Sequence, residues 1–167
     1  YNVTLQVETP GGCSGTISSI VQVYPQPVLS FTSSPTIICQ GGSVILNNTS
    51  TSANGAINAW QWSFGNGQTS TQMSPSMTYT TAGNYVITLI GTTSLGCSDT
   101  LTQNVIVNAP PIADAGSNQS ICLGQSATLT ATGGTSYAWT PGGATTPSIT
   151  VTPGSLTNYY VVVTNAN

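Results

Sequence analysis

The side chains of this chain that could support catalysis or bind a metal are four cysteines and three carboxylates, because it contains no Lys, Arg or His. The carboxylates, Glu8, Asp99 and Asp114, lie in three separate segments. General acid–base catalysis needs a His, a Lys or a pair of carboxylates with different pKa values. A nucleophilic Ser or Cys needs a partner base, which is usually His. We therefore predict that the chain is not an enzyme and has no catalytic residue.

The four cysteines are isolated in the sequence, at Cys13, Cys39, Cys97 and Cys122. Zinc sites usually combine C-x-x-C pairs with further Cys or His ligands, and neither feature is present. We predict no metal site and no cofactor. Two of the cysteines lie in similar sequence segments, GGCSGT (11–16) and LGCSDT (95–100). The segments are 84 residues apart and indicate an internal repeat.

The similarity between the two repeats extends well beyond these two segments. Placing Tyr1 on Tyr85 aligns, without a gap, Thr4 with Thr88, Leu5 with Leu89, Gly12 with Gly96, Thr16 with Thr100, Val21 with Val105 and Val23 with Val107. A second pair, IICQGGSVIL (37–46) and SICLGQSATL (120–129), repeats at nearly the same spacing. We predict three parts: residues 1–25 as the C-terminal hairpin of an upstream repeat, 26–109 as a complete domain, and 110–167 as a second repeat without its last strand.

The composition narrows the classes of partner. The formal net charge is −3 and no side chain is basic, so the chain cannot bind phosphate groups by charge. Nucleic acids and anionic membrane surfaces are therefore excluded as partners. No apolar run is long enough for a membrane span, and membrane insertion is not expected. Hydrophobic residues make up 38% of the chain, which favours folded domains over disorder.

The hydrophobic pattern predicts β-strands throughout. YVITL (85–89) and AWQWSF (59–64) alternate with a period of two, which is typical of strands with one buried face. Short strands between Gly, Pro and Asn-Gly turns, in units of about 84 residues, favour tandem immunoglobulin-like sandwiches. Proline-bearing joints, YPQP (24–27) and NAPP (108–111), predict short linkers between the units.

The run WQWSFGNG (60–67) followed by MTYTTAGNYVITL (77–89) resembles the signature of PKD domains, which are immunoglobulin-like modules. The resemblance covers 28–109, and 110–167 is similar to divergent repeats beside PKD modules in giant surface proteins of gliding and adhesive Bacteroidota. It implies an all-β fold of PKD-type sandwiches. The chain has Asn66 where the family usually has Asp, which weakens the case for a calcium site at that turn.

The resemblance also suggests a role for the cysteines. Each full repeat would carry one Cys before its second strand and one in its last hairpin. If both lie at the same end of a sandwich, Cys39 and Cys97 form a disulfide, and Cys13 and Cys122 have partners outside the chain. The rival Cys13–Cys122 pairing would have to reach across the whole middle unit.

Several residues are candidates for contact with sugars. Of the aromatic residues that alternate toward the core, Trp60 is the one that could instead face outward and stack on a sugar ring. The N-glycosylation triplet occurs at Asn2, Asn47, Asn48 and Asn118. Asp99-Thr100-Leu101 resembles the O-glycosylation acceptor of Bacteroidota, which makes Thr100 a further candidate.

The function that follows is structural. The resemblance implies a stalk of disulfide-linked repeats in a large adhesin or extracellular filament, at the cell surface of a gliding member of the Bacteroidota. Expected partners are neighbouring repeats, identical protomers and glycans. Two alternatives stay open: a PKD-type accessory module that presents substrate to a secreted hydrolase, and a component of a surface layer.

Overall fold

The computed structural model describes residues 1–166, and every regular element in that stretch is a β-strand. This confirms the all-β prediction. The fourteen strands are β1 (Asn2–Glu8), β2 (Ser14–Ile20), β3 (Phe31–Ser34), β4 (Ile37–Cys39), β5 (Ser43–Asn48), β6 (Ile57–Ser63), β7 (Thr69–Ser70), β8 (Ser76–Thr78), β9 (Gly83–Thr93), β10 (Ser98–Asn108), β11 (Ala127–Thr130), β12 (Ser136–Thr140), β13 (Ser148–Val151) and β14 (Tyr160–Thr164). No helix in the described part of the chain is long and apolar enough to cross a membrane.

The strands form where apolar and polar residues alternate. In β5, Val44, Leu46 and Asn48 are buried, while the residues between them are exposed. In β9, Ile87 and Leu89 are completely buried. Successive side chains of a strand point to opposite faces of the sheet, so this pattern gives each strand one face toward the core.

The strands assemble into five sheets. A five-stranded sheet has the order β4-β10-β9-β6-β7, and a three-stranded sheet has the order β3-β5-β8. The remaining pairs are β1-β2, β11-β13 and β12-β14. Strand β4 runs parallel to β10, with Ile37 opposite Ile106 and Cys39 opposite Asn108. The pairing of an early strand with the last strand of the central repeat joins residues that are distant in sequence.

The chain divides into two compact units. The first unit comprises Tyr1–Ser34, Val44–Met77 and Tyr85–Val105. Its core includes Trp62, which is fully buried and packs edge-on against Phe31 with ring centroids 4.9 Å apart. Because Phe31 belongs to β3 and Trp62 to β6, this contact joins the two larger sheets face to face, as in a β-sandwich.

The second unit comprises Pro35–Ser43, Thr78–Asn84 and the residues from Ile106 onward. Trp139 in β12 is almost completely buried there, and its indole Nε1 donates a hydrogen bond to the carbonyl oxygen of Thr146 at 3.0 Å. Trp62 makes the corresponding bond to Gln72 at 2.9 Å, which supports the repeat relationship between the two segments. The boundaries of these compact units differ from the domains expected at 1–25, 26–109 and 110–167, which stay a prediction.

Candidate binding surface

A shallow hollow lies on the outer face of the sheet formed by β6, β7 and β9. Its volume is about 280 Å³. The hollow lies on this face because β6 alternates: Trp62 points into the core, whereas the neighbouring Gln61 is exposed. The residues that line it are uncharged and mostly carry hydroxyl or amide groups: Ala59, Trp60, Gln61, Thr69, Ser70, Thr71, Ile90 and Thr92.

Trp60 is half-buried at the margin of this hollow. It lies opposite Gly91 in the β6–β9 ladder. A Cβ atom placed on Gly91 would lie 3.1 Å from Cζ3 of Trp60 and 2.7 Å from Cδ2 of Leu29, so the indole packs closely over the glycine backbone. The indole therefore lies on the same side of the sheet as Trp62, at the margin of the core, and does not face outward as considered for sugar stacking.

The groups that line the hollow suit contact with a neutral polar molecule, and none of the lining residues is suited to proton transfer. Hydroxyl and amide groups both donate and accept hydrogen bonds, which suits the hydroxyl groups of a sugar or the backbone of a peptide. Within residues 1–166, no three His, Cys, Asp or Glu side chains lie close enough together to hold a metal ion.

Gln61, Thr69, Thr71 and Thr92 were not singled out from the sequence. The alternation of β6 does place Gln61 on the outer face. The approach of β7 and β9 to that face, however, depends on the order of the strands in the sheet, which local periodicity does not encode. Only Trp60, therefore, carried a signal in the sequence.

Cys13 and Cys97 occupy equivalent hairpin turns. Cys13 follows the turn in which Gly12 N donates to Thr9 O, and Cys97 follows the turn in which Gly96 N donates to Thr93 O, both at 2.9 Å. Cys13 is exposed and Cys97 is half-buried, with its Sγ 3.8 Å from the carbonyl oxygen of Tyr24. The Gly-Cys-Ser segment of each repeat therefore lies in the last hairpin of that repeat, as the sequence predicted.

The structure does not bring Cys39 and Cys97 together. Cys39 ends β4 and lies opposite Asn108, the last residue of β10, whereas Cys97 directly precedes Ser98, the first residue of β10. An eleven-residue strand is roughly 35 Å long, far beyond the reach of a disulfide. The expectation that both cysteines lie at one end of the repeat is therefore wrong, because it ignored the parallel pairing of β4 with β10.

Cys122 is exposed in a turn where Gln125 N donates to its carbonyl oxygen at 3.0 Å. It occupies the position of Cys39 in the repeat alignment, directly before a Gly-containing turn and the next strand. Disulfide partners of Cys13 and Cys122 outside the chain stay a prediction.

The candidate glycosylation sites differ in accessibility. Asn2, Asn47, Asn118 and Thr100 are exposed. Asn48 is only 5% exposed, its Nδ2 donates to the carbonyl oxygen of Met73, and its Oδ1 accepts from the hydroxyl group of Ser50. A glycan cannot be attached to an amide nitrogen in this position, so the prediction for Asn48 is wrong. Its place on the buried face of β5 is the reason.

Comparison with known proteins identifies the central part of the chain. The family model described as "PKD domain" matches residues 24–107. The pre-pro-metalloprotease PrtV of Vibrio cholerae is 42% identical over 93 residues, which cover 56% of this chain and 10% of the protease. The crystal structure of the PKD1 domain of that protease is also 42% identical; it covers 50% of this chain and 99% of the domain, with a TM-score of 0.46.

Two further similarities extend this result. A microbial collagenase of Vibrio alginolyticus is 42% identical over 60 residues, which cover 36% of this chain and 7% of the collagenase. A structure of carbohydrate-binding modules of the β-sandwich superfamily is 21% identical and covers 77% of this chain and 54% of its own, with a TM-score of 0.53, which supports the sandwich fold alone. The chain spans a tenth or less of the length of these two curated relatives.

None of these relatives is a gliding or adhesion protein, and the two curated enzymes come from Vibrio. The matches therefore favour the accessory-module alternative over the stalk of a Bacteroidota adhesin.

Proposed function

Because the chain belongs to the PKD domain family, we propose that it is a non-catalytic accessory module of an extracellular hydrolase and holds a polymeric substrate near the catalytic domain. The observation that carries this proposal is the 42% identity with the metalloprotease PrtV over 93 residues. The similarity to a microbial collagenase points in the same direction. Both relatives are named as enzymes that act on proteins, so we propose a protein polymer as the substrate.

The hollow beside Trp60 supports a role in substrate binding. It offers hydroxyl and amide groups from Gln61, Thr69 and Thr71. An extended polypeptide exposes backbone N–H and C=O groups that can pair with such side chains without any need for charge. The formal net charge of −3 also means that binding through this surface depends little on salt.

Co-sedimentation with insoluble polymers tests the binding role. The purified chain should pellet with fibrillar collagen, and Gln61→Ala should weaken that binding about five- to tenfold through the lost hydrogen bonds. Gln68→Ala is the matched control, because Gln68 is exposed outside the hollow. Retention on chitin instead of collagen would identify a polysaccharide as the substrate, and a chain that pellets with neither polymer would contradict the proposal.

The composition provides an independent test of whether this segment is attached to a catalytic domain. Trypsin cannot cut within these residues, because they contain no Lys or Arg. A tryptic digest of the reduced, denatured parent protein should therefore yield one large peptide with this sequence, together with ordinary peptides from a catalytic domain. If the uncut peptide continues through many further repeats and no catalytic peptides appear, the protein is not a hydrolase.

A stalk segment is the second candidate function. The gapless alignment of Tyr1–Val23 with Tyr85–Val107 favours it, because serial repeats joined by short proline-bearing linkers can extend a protein away from a surface. Neighbouring repeats, identical protomers and glycans would be its partners. The length of the uncut tryptic peptide distinguishes this candidate from the accessory module.

A further inference from the structure

The hairpin of β1 and β2 has one apolar face that is open to solvent. The strands pair antiparallel, with Leu5 opposite Ile17 and Val21 N bonded to Tyr1 O, so their odd-numbered side chains share a face. Between 50% and 87% of each apolar side chain on this face is exposed. The set, here called the hairpin face, consists of Tyr1, Val3, Leu5, Val7, Ile17 and Val21.

The opposite face of the same hairpin is polar. It carries Asn2, Thr4, Gln6 and Glu8 from β1 and Ser14, Thr16 and Ser18 from β2, all of them exposed. Ile20, opposite Asn2, is the one apolar residue on this face. An antiparallel hairpin with this division has one mostly apolar side suited to a protein core and one mostly polar side suited to water. An isolated two-stranded hairpin is marginally stable at best in water, so its apolar side needs a cover.

The internal repeat shows how the residues equivalent to the hairpin face are buried in the central repeat. Val3 aligns with Ile87, Leu5 with Leu89 and Val21 with Val105. Ile87, Leu89 and Val105 are completely buried in the first unit. The hairpin face is thus the equivalent of a core face that is closed elsewhere in the same chain.

The closing structure in the complete repeat is the sheet β3-β5-β8. Leu89 lies opposite Trp62 in the ladder, and Trp62 packs against Phe31 of β3. Val44 and Leu46 of β5 present fully buried side chains of their own. A cover for the hairpin face therefore needs a short sheet that has apolar residues at these positions.

We propose that the hairpin face is the docking surface for the first part of another PKD repeat, equivalent to residues 26–84, carried on the same polypeptide directly before Tyr1. The gapless alignment supports this arrangement, because a segment that ends at Tyr1 reaches the hairpin through the same connection that joins Asn84 to Tyr85. A second copy of the chain is a poorer occupant. Its β3-β5-β8 sheet is already covered by its own β6 and β10, because Trp62 packs against Phe31 and Gln103 Nε2 donates a hydrogen bond to the carbonyl oxygen of Phe31.

Duplication of residues 26–84 directly before Tyr1 tests the proposal. Hydrogen–deuterium exchange, read by mass spectrometry, would follow the amides of peptides from residues 1–23 in the original and the extended chain. In the original chain these amides should exchange nearly freely. In the extended chain, burial of the hairpin face should slow them on the order of 100-fold or more.

Two neighbouring substitutions in the extended chain serve as a matched pair. Val3→Ser changes the hairpin face and should abolish the added protection, whereas Thr4→Ser changes the polar face and should leave it intact. Amides of β9 and β10 should stay slow in every variant, which shows that the rest of the chain is folded.

Two results would overturn the proposal. The first is hairpin amides that exchange as fast in the extended chain as in the original one. The second is protection in the original chain that rises with protein concentration, because a second copy of the chain would then be the occupant.

Discussion

Replacement of Trp62 by phenylalanine should destabilise the first unit by about 2 kcal/mol. Phenylalanine keeps an aromatic ring near Phe31, whose plane lies at 79° to the indole. It removes the hydrogen bond from Nε1 to the carbonyl oxygen of Gln72, which costs about 1 kcal/mol. It also leaves a cavity of roughly 40 Å³ in a fully buried site, which costs about a further 1 kcal/mol.

Urea unfolding, followed by the fluorescence of the remaining tryptophans, measures this change. For an m-value of about 1.3 kcal/mol/M, the unfolding midpoint of Trp62→Phe should fall by about 1.5 M. Trp60→Phe is the control, because Trp60 is only half-buried, and its midpoint should fall by less than half as much. Equal shifts in the two variants would refute the assignment of Trp62 as the central core residue.

Two further pairs of variants test local features by the same urea assay. Gly65→Ala should cost about 3 kcal/mol, because φ is +77° and the new Cβ would lie 2.9 Å from backbone atoms of Val86; Gly67→Ala, with φ +86° and open space, should cost about 1 kcal/mol. Asn48→Ala should cost about 2 to 3 kcal/mol through its buried hydrogen bonds, whereas Asn47→Ala on the exposed face should change stability by less than about 0.5 kcal/mol. A reversed order within either pair would contradict the contacts described above.

The sequence was sufficient to predict the strands and much of the core. Alternation in AWQWSF and YVITL correctly predicted that Trp62, Phe64, Ile87 and Leu89 are buried. These features are local, since a period of two residues reflects which face of a strand avoids water. Trp60 belongs to the same series, but its neighbour across the ladder is Gly91, whose missing side chain leaves the indole at the margin of the core.

Local alternation of apolar and polar residues could not predict the relative positions of strands that are distant in sequence. The parallel pairing of β4 with β10 decides where Cys39 lies, and no local pattern records it. The hollow likewise depends on the approach of β7 and β9 to Gln61. Asn48 shows a related limit, because the glycosylation triplet is a pattern of three residues, whereas the burial of its amide depends on the contact with Met73 from another segment.

The parallel pairing of β4 and β10 also determines how the central repeat responds to mechanical force. Tension on the chain before β4 and after β10 pulls the two strands in opposite directions along their length. The hydrogen bonds between Ile37–Cys39 and Ile106–Asn108 are then loaded in shear and must break together. The hairpin of β1 and β2, pulled from its two open ends, would instead unzip one bond at a time. In a single-molecule pulling experiment, the central repeat should therefore rupture at a much higher force than the hairpin.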